Sequence, residues 1–139
     1  VSVSFDYFEH VADIGIVGMG DTIEEAFVGG ALALFNVMVD IGGVEPLVRV
    51  EVSCAAFNIE ELYIEWLNSL LAEADISGMV FSGFEIDVLD ENMLHGYAFG
   101  EVLDVGKHYI RDEVKGATYS MLSVECVDDV FVAKCVVDV

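Results

Sequence analysis

Apolar positions recur along this chain with two different periods. From Ile23 through Ala26, Phe27, Gly30, Ala31, Leu34, Phe35 and Met38 they return every three or four residues, the spacing that lines one face of a helix. Thr22 precedes this run and Glu25 stands three residues on, a pair that can cap a helix start reciprocally. A second stripe, Ile59, Leu62, Tyr63, Trp66, Leu67, Leu70, Leu71 and Ala74, follows Asn58 and Glu61 in the same capping relation. Glu60, Glu65 and Glu73 fall off that stripe, and Trp66 in mid-stripe is predicted to be core. Gly29 and Gly30 each cost a helix interior about 1 kcal/mol relative to alanine, which predicts close approach to a sheet at those positions.

Elsewhere the period is two, that of strands. An aromatic run, "FDYFEH", and an apolar one, "DIGIVG", open the chain. "VRVEVSCAAF" places Val48, Val50, Val52 and Cys54 on one face, and "FEIDVLD" does the same with Phe84, Ile86 and Val88. "DEN" at Asp90–Asn92 reads as a turn into "MLHGYAFGEVLD". "TYSMLSVECV" and "VFVAKCVVDV" flank Asp128-Asp129, which predicts a terminal hairpin. The order is β-β-α-β-α-β-β-β-β. Strands clustered after the helices predict an α+β fold, with mixed or antiparallel sheet layers packed on two amphipathic helices. The length of 139 residues, one proline and no repeat predict a single domain over 1–139.

Composition changes the picture in three respects. The longest apolar run, Ala26 to Val39, is too short to span a membrane and contains Asn36. No basic segment precedes the first apolar residues, so no secretion signal is read there and a cytoplasmic protein is expected. Cys54, Cys126 and Cys135 form no CxxC and lie in alternating or apolar runs, so buried free thiols are expected. The charge weighs most: 26 acidic against 5 basic residues, net −21. Such a surface repels phosphate backbones, which argues against direct nucleic-acid binding. It suits a salty cytoplasm, bound cations or a basic partner.

Two carboxylates do not read as solvated surface. Asp13 interrupts "VADIGIVG" and Asp138 interrupts "CVVDV". A carboxylate inside an apolar strand needs a partner, a hydrogen bond or a metal; the alternative is that both lie at solvated strand ends. All-oxygen ligation would select hard ions such as Ca2+ or Mg2+. His10 beside aromatics reads as a hydrogen-bonded structural residue or a ligand. His95 and His108 lack metal-like spacing, and no His/Cys cluster suggests zinc. "GMGD" is not a dinucleotide fingerprint, since Ile23 stands where its last glycine would be. "RDEVKGATYS" holds two of the five basic residues, and Lys115 there reads as an ion-pair partner of Glu113 or as a contact to a phosphate or carboxylate.

These segments together resemble the archease family along nearly the whole chain. The resemblance rests on "YFEHVADIGIVGMGDTIEEAFVGGALALFNVMVD", "EELYIEWLNSLLAEADISGMVFSGFEI", "GEVLDVGKH", "EVKGATYS" and "VVDV", in that order. The family pattern has threonine where Val11 stands and histidine where Ser120 stands. The resemblance implies a small acidic accessory protein, not an enzyme, whose protein partner is the tRNA-splicing RNA ligase. It would promote that ligase's guanylylation and turnover. A modulator or chaperone of a tRNA cytosine methyltransferase is the alternative partner role; a metal-dependent hydrolase using Asp13 and Asp138 is a further reading, disfavoured because no second cluster offers a base, nucleophile and oxyanion donor together. The resemblance further implies a metal site at Asp13, Asp138 and the terminal Val139, with Ca2+ the usual ion and Mg2+ or Mn2+ other candidates. It places the family's functional lysine on Lys115 and makes His10 a supporting residue.

Overall fold

A computed structural model describes residues 3–139; the first two residues of the predicted 1–139 domain lie outside the described residues. The elements are β1 (Ser4–His10), β2 (Asp13–Gly20), α1 (Ile23–Met38), a 3-10 turn (Ile41–Gly43), β3 (Val48–Ala55), α2 (Ile59–Ser77), β4 (Met79–Leu89), β5 (Met93–Val102), β6 (Gly116–Ala117), β7 (Ser123–Val127) and β8 (Val130–Asp138). They form two sheets. One has the order β1-β2-β8-β6, with β7 also pairing with β8; the other has the order β3-β5-β4. Every pairing is antiparallel. Each helix touches both sheets, so the α+β architecture is closed by a shared core between them.

Local chemistry starts both helices where the pattern placed them. Thr22 Oγ1 accepts from the Glu25 N–H at 3.1 Å, and Asn58 Oδ1 accepts from the Glu61 N–H at 2.9 Å. Glu25 reaches back to the Asp21 N–H, one residue before the cap. Gly78 ends α2 in the left-handed conformation at φ 64, which costs a glycine nothing. Among the described residues no helix is long and apolar enough to cross a membrane.

The two stripes meet in one core. Phe27 packs on Tyr63, Phe35 on Phe81 and Phe84, and Trp66 on Phe84. Trp66 is fully buried and its indole N–H donates to the Phe27 carbonyl at 3.0 Å. Gly29 and Gly30 serve two different contacts. A Cβ on Gly29 would press on the backbone of β1 and β2, as expected of a sheet contact. On Gly30 it would meet Tyr63 of α2, so this second glycine admits the other helix, while its backbone N lies close against Gly18 of β2.

Several strand expectations shift. A bulge between Ile86 and Val88 moves the inward alternation of β4, so Val88 is exposed and Leu89 packs toward the core. "TYSMLSVECV" is strand only from Ser123. Before it, Met121 sits at φ 56 and Leu122 N–H donates to the Tyr119 carbonyl, closing a turn. The terminal hairpin turns at Asp128 (φ 52) and Asp129 (φ 67), the twist that a two-residue hairpin loop requires. All three cysteines are free, but only Cys135 is fully buried; Cys126, near the hairpin tip of β7, is exposed. Burial pushes the Cys135 thiol up to about 12 and the half-buried Cys54 thiol up to about 11.

Candidate functional site

The β1–β2 hairpin turns through Val11 and Ala12 and sets His10 opposite Asp13. Val11 lies at φ 51 and is fully exposed. A β-branched residue in that region is strained. Asp13 is therefore not in mid-strand: it is the first residue of β2, beside the turn. Asp138 is the last residue of β8. Both carboxylates stand at strand ends, and the sheet puts those ends together. Ile14 pairs with Val137, so Asp13 and Asp138 are the next residues along two neighbouring strands. Val139 N–H points at Asp13 Oδ1, 3.5 Å away.

The other side of β8 supplies the lysine segment. Gly116 pairs with Asp138, and Lys115 N–H donates to the Asp138 carbonyl at 2.7 Å. The five residues singled out from sequence, His10, Asp13, Lys115, Asp138 and Val139, thus come from three segments to one end of the five-stranded sheet. Asp13 is half-buried, while Asp138 and Lys115 are exposed. Among the described residues Lys115 is in no ion pair, and the expected pairing with Glu113 does not form. His10 does not make the structural hydrogen bond expected of it: Nδ1 is buried and has no partner among the described residues.

One residue that holds this end together escaped the sequence reading. Asn68 of α2 accepts from the Ala117 N–H at 2.9 Å and donates to the Ala117 carbonyl at 3.3 Å. These two bonds tie the two-residue β6, and so Lys115, to the helix. The available signal was an asparagine beside the apolar stripe of α2, where helix propensity alone would not place it.

The donor chemistry suits a hard ion in part. Two carboxylates and a main-chain oxygen of Val139 are all-oxygen donors, the kind Ca2+ takes. Among the described residues no three His, Cys, Asp or Glu side chains converge so as to hold a metal by themselves. Any ion here would complete its shell with main-chain oxygen, water or a partner's groups.

The remaining histidines are paired elsewhere. His108 is buried; its Nδ1 accepts from the Asp104 N–H at 2.9 Å, so the ring proton sits on Nε2, which donates to Glu101 at 3.0 Å. Lys107 bonds the same Glu101 at 2.8 Å and, with the Glu45 N–H and His108, holds its carboxyl down at about 2. His95 lies on the other sheet, bracketed by Glu51 and Asp87.

Comparison with known proteins agrees with the resemblance read from the motifs. The model of the Archease protein family matches residues 5–139. The chain is similar to the protein archease of Pyrococcus furiosus, at 39% identity over 128 residues and 90% of each chain. It is also similar to the protein archease of Sulfurisphaera tokodaii, at 39% over 136 residues, covering 97% of this chain and 98% of that one. The solution structure of protein 1598 of Methanobacterium thermoautotrophicum superposes with a TM-score of 0.80 at 33% identity, covering 98% of this chain and 99% of that one. A Thermotoga maritima crystal structure described as an archease, possible chaperone, shares the fold with a TM-score of 0.61 at 20% identity over 95% of this chain and 94% of that one.

Proposed function

The chain belongs to the archease family, and on that premise we propose that it is an accessory protein of RNA ligation. It docks on the tRNA-splicing ligase and promotes that enzyme's guanylylation and turnover, without turning over a substrate of its own. The observation that carries this reading is the gathering of Asp13, Asp138 and Lys115 at one sheet end, from strands far apart in sequence. Among the described residues Lys115 is exposed and in no ion pair, so its charge is open to a group from outside. The net charge of −21 supports a basic protein partner over RNA itself.

Asp13 and Asp138, with a main-chain oxygen of Val139, would hold Ca2+, or Mg2+ or Mn2+ in its place. When bound, the ion would supply a positive centre that offsets the two carboxylates and attracts anionic groups of a partner. Lys115 would extend that positive face. The half-buried His10, opposite Asp13, would limit how far the Asp13 carboxylate can swing. The same acidic surface also suits a chaperone-like role toward a tRNA cytosine methyltransferase, another RNA-binding enzyme, as the second reading.

A ligation assay with the ligase sub-stoichiometric to RNA tests the proposal. Added protein should raise both the guanylylated fraction of the ligase and the number of turnovers. Asp13→Asn and Lys115→Ala should lose most of that stimulation while remaining folded, since asparagine keeps the shape of the half-buried Asp13 side chain and an accepting oxygen for the Val139 N–H, and an exposed charge such as Lys115 is worth about 0–1 kcal/mol to stability. Ca2+ should raise the thermal midpoint of the wild type and not of Asp13→Asn. Full stimulation by both variants would overturn the site's role. Stimulation of the methyltransferase alone would replace the first reading by the second.

A further inference from the structure

Beside the sheet end lies a cleft of about 820 Å3, between the C-terminal halves of α1 and α2 and the segment 103–115. Its volume is that of a formed binding site. The floor is apolar: over a buried base that includes Phe35 and Val80, the surface open to a ligand comes from half-buried Met38 and Leu71 and exposed Leu103 and Ile110. The rim is charged and exposed, with Asp75, Asp112 and Glu113 against the single Lys115.

The outer wall is held in place by backbone bonds. Leu103 N–H donates to the Gly78 carbonyl, Asp40 N–H to Tyr109, Arg111 N–H to Met38 and Asp112 N–H to Val37. The cleft is thus preformed, and it shares Lys115 with the site described above.

We propose that this cleft docks a segment of a partner protein in which large apolar side chains are flanked by lysine or arginine. The apolar floor takes the anchors and the three rim carboxylates meet the flanking cations, so shape and charge select the same ligand. A phosphorylated ligand is disfavoured by three carboxylates facing one lysine. A second copy of this chain would bring the same excess of negative charge to an acidic rim. The docking mode does not depend on which basic protein is the physiological partner.

Selection from a random-peptide phage library on the intact protein tests this. Enrichment should yield an apolar centre with basic flanks. The synthetic consensus peptide, labelled for fluorescence anisotropy, should then bind saturably. Ala72→Trp places a bulky ring over the cleft from an exposed helix position, and Asp75→Lys reverses a rim charge; both positions line the cleft and are exposed. Each should weaken binding by roughly tenfold or more, with thermal midpoints near that of the wild type. Glu113→Lys, in the loop wall, repeats the charge test outside the helix. Three results would each overturn the proposal. One is no enrichment over background. Another is a consensus that binds Ala72→Trp and wild type alike, which would reduce the attraction to general surface charge. The third is displacement of the peptide by a fluorescent nucleoside triphosphate that itself loses affinity in Ala72→Trp, which would assign the cleft to an anionic small molecule.

Discussion

His95 has no ordinary role for a half-buried histidine. Its Nδ1 is 2.6 Å from Asp87 Oδ1 and its Nε2 is 2.7 Å from Glu51 Oε2, a bridge across β4, β5 and β3. Both contacts are good hydrogen bonds only when both ring nitrogens carry protons; the neutral ring would face one carboxylate with a lone pair. The bond to Glu51, then that to Asp87, raise the His95 pKa above its ordinary value. A raised folded pKa contributes stability that is fully present below the unfolded value of about 6.5 and lost as pH rises through the folded value. Urea midpoints of the wild type should therefore decline across the range just above about pH 6.5. His95→Gln should flatten that part of the profile. An unchanged slope in the variant would show that the bridge does not form in solution. Glu101 has the opposite sign. Its carboxyl is lowered to about 2, so its contribution is present above about 4.5 and disappears as pH falls toward about 2. Glu101→Gln should lessen the acid sensitivity measured by the same midpoints.

At the scale of elements, the smallest strand depends most on its neighbour. β6 has two residues, and its bonds to β8 are supplemented by the two from Asn68 to Ala117. Asn68→Ala would leave a main-chain N–H and carbonyl without their partner, at a cost of about 1–3 kcal/mol. Amide exchange should accelerate around Lys115–Ala117 and much less in the β1–β2 hairpin. Uniform acceleration would indicate a global effect and not a local strap. The β7–β8 hairpin offers a gain. Asp128 and Asp129 both sit at positive φ, where Asn-Gly is the favoured pair. Asp128→Asn with Asp129→Gly should raise stability by up to about 1 kcal/mol, since relief of the left-handed backbone outweighs the entropy that glycine adds to the unfolded chain. Chemical denaturation of the double variant measures this directly.

Across the whole molecule, the charge of −21 on a fold of this size repels itself. Raising salt from about 0.01 M to about 1 M shortens the Debye length from about 30 Å to about 3 Å. The thermal midpoint should rise over that range, as screening relieves repulsion that only the compact state concentrates. Association with a basic partner should weaken over the same range. Opposite signs for stability and binding would separate the two effects of the charge. A midpoint that stays flat or falls would mean that paired charges such as Lys107–Glu101 outweigh the net repulsion.

The helices, their caps and the closing hairpin were legible in the sequence because each is specified by residues within a few positions of one another. Thr22, Asn58 and Asp128-Asp129 act on their own neighbours, and a period of two or of three to four survives any tertiary arrangement. Asp13 and Asp138 stood out as carboxylates in apolar runs; their conjunction was implied only by resemblance to a family, and the pairing of β2 with β8 supplies it. Other features belong to the fold alone. The exposure of Val88 follows from a bulge that only cross-strand pairing reveals. The Gly30–Tyr63 contact depends on how two helices cross. The Asn68 strap, the unpartnered Nδ1 of His10 and the acid-rimmed cleft need residues brought together from distant parts of the chain. No local pattern encodes those meetings, because the free energy that selects them comes from burying both helix stripes between two sheets at once.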